Sequence, residues 1–119
     1  MKALWLSRHE PTEEQVEVLT KKFHHRFDET NIKQVDESLP SNSRESVVRF
    51  DELADDCNIA IVVLPINLLE AILKFSNFYK SGGMILRAVM NREIIDDNVV
   101  FSFSHYEKVI KVEVVTEVL

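Results

Sequence analysis

Ile59-Ala60-Ile61-Val62-Val63-Leu64, closed by Pro65, is the stretch on which the fold turns. A strand with one wet face alternates apolar and polar residues, whereas an unbroken apolar run belongs to a strand covered on both faces. The run therefore predicts a strand near the centre of a sheet, with helices above and below. Its flanks agree. On the N-terminal side, Val47, Phe50 and Ala54 recur at helical spacing while Glu45, Arg49 and Glu52 face out, which predicts a helix from Arg44 to about Asp55. On the C-terminal side, Leu68, Leu69, Ile72, Leu73, Phe75 and Tyr79 form a wide stripe on a helix from Ile66 to Lys80, ended by Gly82 and Gly83. The stripe is broader than a helix at a sheet edge needs, so a second copy of the chain is expected against it.

Further out, the N-terminal third repeats the alternation. Lys2 to Ser7 reads as a strand, and Thr12 to about Arg26 as a helix with Val16, Leu19 and Phe23 inward. Thr12 and Gln15 stand at capping-box spacing. Ile32 to Val35 is a weak strand, and Asp36 to Ser43, with Pro40 and three serines, reads as a flexible loop. After the glycines the period becomes two. Met84 to Asn91 and Val99 to Ser104 read as strands around the turn residues Asp96-Asp97-Asn98. A last strand carries Ile110, Val112, Val114, Thr116 and Val118 on one face, with Lys111, Glu113 and Glu117 on the other. Strands alternating with helices imply a mostly parallel sheet, so the fold class is α/β: βαβαβα followed by an antiparallel three-stranded meander, in one domain over residues 1–119.

Composition narrows the function. The chain has 119 residues, 45% of them hydrophobic, and a formal charge of −6. That is enough to bury a core, and the negative charge argues against duplex nucleic acid, where Lys and Arg must neutralise phosphates. A small nucleotide in a locally basic pocket remains compatible. A lone cysteine, Cys57, forms no internal disulfide and reads as a small half-buried residue. Neither a leader nor a membrane span is evident, so a cytoplasmic location is expected. No metal-ligand spacing is present, and no cofactor or metal is expected.

The richest chemistry lies in Ser7-Arg8-His9-Glu10-Pro11-Thr12, directly after the apolar Ala3-Leu4-Trp5-Leu6. Ligands of open α/β sheets collect at the carboxyl ends of strands. Three such ends should share one side of this sheet: Ser7-Arg8-His9, Pro65-Ile66-Asn67 and Met90-Asn91-Arg92. Two guanidinium groups, an imidazole, amides and hydroxyls suit phosphate and a polar base or sugar edge. Glu13, Glu14 and Glu17 weaken the first helix start as a phosphate site, because they already occupy the dipole. Arg87, inside an apolar strand, calls for a carboxylate on a neighbour. His24 and His25 read as solvated residues at a helix end, and His105 is open to a structural or a functional role.

On the opening Met1 to Gln15, on Val62-Val63-Leu64-Pro65-Ile66-Asn67-Leu68-Leu69 and on Gly83 to Arg92, the chain resembles small CRISPR-associated ring nucleases with a CARF-like, Rossmann-like fold. The likeness covers most of the chain in order, through short motifs. It implies a homodimer that binds cyclic oligoadenylate, most often the tetramer, and cleaves it without a metal, ending a type III CRISPR response. In that chemistry a ribose 2′-hydroxyl attacks the adjacent phosphorus in line with the departing 5′-oxygen. Arg8 or Arg92 would meet the developing charge, and His9, with an unperturbed pKa of ~6.5, would be the general acid or base. Ser7, Thr12, Pro65, Asn67 and Asn91 would line or orient the ligand. The loop Asp36 to Ser43 and the acidic helix start depart from the family pattern.

Leu6-Ser7-Arg8-His9-Glu10 is also similar to the Arg-His-Gly signature of histidine phosphatases, with Glu10 in place of the glycine. A carboxylate there repels the phosphate that a glycine backbone admits. The remaining alternative is a non-catalytic module that sequesters a nucleotide or binds a protein partner, which would use the same Arg and His for positioning alone.

Overall fold

The computed structural model describes residues 1–113 and 115–119. Five strands and four helices follow in the order β1 (Ala3–Leu6), α1 (Glu13–Phe23), β2 (Ile32–Val35), α2 (Ser43–Leu53), β3 (Ile59–Val62), α3 (Ile66–Phe75), α4 (Asn77–Lys80), β4 (Met84–Ile95) and β5 (Asn98–Lys108). The strands form one sheet in the order β2-β1-β3-β4-β5. All neighbours run parallel except β4 and β5. The α/β class and the antiparallel C-terminal part are as the sequence predicts. Among the described residues, no helix is long and apolar enough to cross a membrane.

Every residue of β1 and β3 is buried, because each face of these strands packs against helix. Ala3, Trp5, Ile59, Ile61 and Leu86 face α1 through Leu19, with Phe27 beside them. Leu4, Leu6, Ala60, Val62 and Ile85 face α2 and α3 through Val47, Phe50, Leu53, Ala71 and Ile72. The predicted central run ends early, however: β3 stops at Val62 and Val63 is 74% exposed, since the chain has already left the sheet for the loop before Pro65.

The capping box forms as spelled. The Thr12 hydroxyl accepts from the Gln15 amide (3.2 Å) and Gln15 Oε1 accepts from the Thr12 amide (2.9 Å). The helix ends at Phe23, three residues short of the expected Arg26, where His24 takes a left-handed φ of 49° and closes it.

The helix expected over Ile66 to Lys80 is broken. Ser76 adopts extended dihedrals, its hydroxyl donates to Asp51 Oδ1 (2.6 Å) and accepts from the Tyr79 amide (3.3 Å), while the Asn77 amide donates to Asp51 Oδ2 (3.0 Å). Asp51 on α2 thus caps a new short helix. The turn folds Phe78 edge-on against Phe50 (centroids 5.6 Å apart). Phe78 in turn requires Gly83, where a Cβ would lie 2.5 Å from the ring. This packing accounts for most of the broad stripe: Leu68 and Ile72 are buried and Leu69, Leu73 and Tyr79, with Phe78, pack on the same core, while Phe75 is left 63% exposed.

The antiparallel part also differs. β4 and β5 are longer than predicted and meet at Asp96 and Asp97, with φ of 50° and 64°, the left-handed pair of a two-residue hairpin turn. The last pair between β3 and β4 is Ile61 with Leu86. The nine residues Arg87 to Ile95 run on for about 30 Å as a two-stranded ribbon with β5. Residues 109–113 and 115–119 form no strand, so among the described residues the meander has two strands; Val114, named on the apolar face of the third, lies outside them. Arg87 finds its carboxylate in Glu107 directly opposite, with Nη2 to Oε1 at 2.7 Å.

Candidate functional site at the switch point of the sheet

After β1 the chain adds β2 on one side, then crosses back to place β3 on the other. The loops leaving β1 and β3 therefore diverge over opposite faces and leave a gap between them, the usual ligand position in such sheets. A crevice of about 490 Å³ occupies it, lined by Ser7, Arg8 and His9 after β1, Asp36 to Leu39 after β2, and Val63, Leu64 and Pro65 after β3.

The first loop is held from below. The Ser7 amide donates to Val35 O (3.1 Å), Gln34 Nε2 donates to Ser7 O (2.8 Å), and the indole Nε1 of Trp5 donates to His9 O (2.8 Å). The His9 amide donates to Ser7 Oγ (3.3 Å). The backbone is thereby fixed while the side chains of Arg8 and His9 stay exposed. Trp5 is itself buried and meets Tyr106 edge-on at 6.5 Å. Burial also pushes the Tyr106 phenol well above its ordinary pKa, so it acts as a donor, to Gln15 O at 3.0 Å.

The second loop is tied down rather than free. Arg49 on α2 grips Glu37 with two bonds, Nε to Oε2 at 2.6 Å and Nη2 to Oε1 at 2.7 Å, and also reaches Glu52 (2.9 Å). The hydrogen bonds from Arg49 hold the Glu37 carboxyl below its usual range. Ser46 donates to Pro40 O, and Asn42 caps α2 by accepting from the Arg44 and Glu45 amides. Glu37 is therefore neutralised within the wall of the crevice.

The third side is the start of α3. Unlike α1 and α2, it has no side-chain cap and no acidic residue in its first turn, and its N-cap is Pro65. Its first amides and positive dipole end are left available where an anion would be welcome.

Of the residues singled out from sequence, Ser7, Arg8, His9 and Pro65 line the crevice. The others do not. Thr12 spends its hydroxyl on the capping box. Asn67, in the first turn of α3, is exposed and does not line the crevice. Asn91 and Arg92, expected at a strand end, stand mid-ribbon opposite Ser102 and Phe101, because β4 continues past the level where β1 and β3 stop. Sequence reading missed Asp36, Glu37, Ser38 and Leu39 as crevice residues. The available signal was positional: a loop following a strand parallel to β1 opens on the same sheet edge.

Elsewhere, a cavity of about 350 Å³ at the opposite sheet edge is lined by Asp51, Asp55, Cys57 and the Ser81-Gly82-Gly83 turn. Burial, with Asp56 adjacent, pushes the Cys57 thiol up to about 11, which makes it a poor nucleophile. His105 lies on β5, three strands across the sheet from β1. Comparison with protein-family models, characterised proteins and solved structures finds no match to this chain.

Proposed function

We propose that the chain is a cytoplasmic, homodimeric nucleotide-binding protein that holds a phosphate of a cyclic oligoadenylate in the switch-point crevice and cleaves the ring without a metal. The observation that carries this reading is the convergence of Arg8 and His9 with the uncapped start of α3 at Pro65. A guanidinium and a free helix start attract an anion from two directions, and neutralisation of Glu37 by Arg49 removes one repelling charge. The substrate supplies its own nucleophile, a ribose 2′-hydroxyl, so the protein must align it, stabilise phosphate charge and move a proton. Arg8 takes the second role and His9 the third; Ser7 orients phosphate or sugar.

One observation favours binding without cleavage. Among the described residues the His9 imidazole makes no hydrogen bond, so nothing but the ligand would fix its tautomer. The phosphatase reading is weaker still: the resemblance to that family calls for a second histidine, here His105, and β3 and β4 lie between its strand β5 and β1.

The test is incubation with cyclic tetra-adenylate, with and without EDTA, followed by separation of products. Linear fragments ending in a 2′,3′-cyclic phosphate, formed equally under chelation, support the nuclease. A bound but intact ring supports the sequestering module. Absence of both binding and cleavage removes the reading. Arg8→Ala should lower affinity about 10-fold or more, and His9→Ala should lower rate about 10²-fold with little change in affinity.

A further inference from the structure

The outer edge of β5 is an open row of polar backbone. β5 closes the sheet on one side; apart from the bulge at Ser104 and the lysine that ends it, Lys108, it carries no proline, lysine or arginine. Such residues are what natural edge strands use to discourage pairing. Its outer half belongs to a two-stranded ribbon, a unit only marginally stable alone. Met90, Ile94, Val99 and Phe101 share one face of that ribbon and are all exposed.

A second strand-forming segment, Ile110 to Glu113, lies close by without a strand partner among the described residues. The Val109 amide donates to Ile85 O (2.8 Å), so the chain continues straight past the end of β5. Lys111 Nζ then meets Glu113 Oε2 at 3.0 Å, a same-face i,i+2 pair of extended backbone. Ile110 beside them is 68% exposed. This segment cannot pair with its own β5. A return would need a tight turn, and no Gly, Pro, Asn or Asp occurs from Tyr106 onward.

The surface area points the same way. A folded monomer of this mass, 13.8 kDa, should expose roughly 6600 Å². This chain exposes 8388 Å². Its radius of gyration is 15.5 Å, against about 13.5 Å for a compact chain of this length. The excess, roughly 1800 Å² per copy, is surface open to a partner, and part of it lies beyond the segment, on Val115, Val118 and Leu119.

We infer that two copies of this chain associate by reciprocal strand addition, the Ile110–Glu113 segment of each pairing with the open β5 edge of the other. A two-fold axis makes the two additions equivalent and covers part of the β5 edge in each copy. The inference shares the homodimer with the proposed function and adds its interface: a monomer would remove both, a dimer built elsewhere only this inference, and what the crevice binds bears on neither.

The experiment is sedimentation equilibrium of the full chain at micromolar concentration, beside a Lys111→Pro/Val112→Pro double variant. Adjacent prolines remove the amide facing the partner whichever of the two positions it occupies. The wild type should sediment at twice the chain mass. The variant should dissociate at least about 100-fold more readily, with the helical signal of its far-UV circular dichroism spectrum retained. A monomeric wild type overturns the inference, and so does a variant that remains dimeric, which would place the interface elsewhere. Should the variant precipitate, amide exchange on the wild type decides. Protection of residues 110–113 that disappears on dilution supports the exchange, and its absence in a dimeric sample refutes it.

Discussion

Trp5→Phe tests whether the sheet itself positions the candidate site. Trp5 is 4% exposed, and its indole nitrogen reaches His9 O at 2.8 Å. Phenylalanine keeps an aromatic edge against Tyr106 and removes only the donor and part of the ring. The His9 carbonyl sits on an exposed residue and can turn to water, so the lost bond costs about 1 kcal/mol rather than a full burial penalty. The smaller ring leaves roughly 40 Å³ unfilled, about 1 kcal/mol at ~24 cal/mol per Å³. For a chain of this length the unfolding entropy is roughly 0.25 kcal/mol per kelvin, so a loss of about 2 kcal/mol lowers Tm by about 8 °C. The second readout is local. Amides of His9 and Glu10 should exchange about tenfold faster under conditions where the β1 interior is unaffected, because their loop has lost one anchor. Calorimetry gives the first number and NMR-detected exchange the second. An unchanged exchange rate at His9 and Glu10, whatever happens to Tm, refutes the argument that Trp5 holds the loop.

Other outcomes follow from particular contacts. The fully buried Ser76 hydroxyl both caps α4 and satisfies Asp51. Ser76→Ala should therefore destabilise by about 1 kcal/mol or somewhat more in urea unfolding. In Glu37→Gln the pH profile should flatten. Arg49 lowers the folded pKa of Glu37, so its contribution is present above the ordinary value near 4.5 and is lost as pH falls through the lowered one. The stability gap between wild type and variant, open at neutral pH, should close in acid, and thermal melts across that range measure it. Burial, with Asp56 adjacent, raises the Cys57 pKa to about 11. Cys57 should react with iodoacetamide at mildly alkaline pH on the order of 100 times more slowly than a free thiol, and mass spectrometry follows the adduct.

What near neighbours decide was legible in the chain. The Thr12–Gln15 box, the Ile32–Val35 strand and the Asp96-Asp97 turn rest on spacings of a few residues and are present where they were read, and the doubly covered β3 rests on an unbroken apolar run, though it ends at Val62 rather than Leu64. That Ser7, Arg8, His9 and Pro65 would lie together was legible for a related reason: residues that follow parallel strands share one sheet edge.

The rest waited on the folded molecule, because the partners lie far away in sequence. The stripe through Ile66 to Lys80 is periodic enough for one helix, and it breaks because Asp51, 25 residues earlier, holds Ser76 and the amides after it. Arg92 leaves the candidate site because β5 pairs with β4 well beyond the level of β1 and β3, and the length of a ribbon is set by cross-strand pairing rather than by its own alternation. The serine-rich loop becomes a wall of the crevice because Arg49 reaches it from α2. The segment after Lys108 has the alternation of a strand and, among the described residues, no strand to pair with, since period two states which face is apolar and not what will cover it.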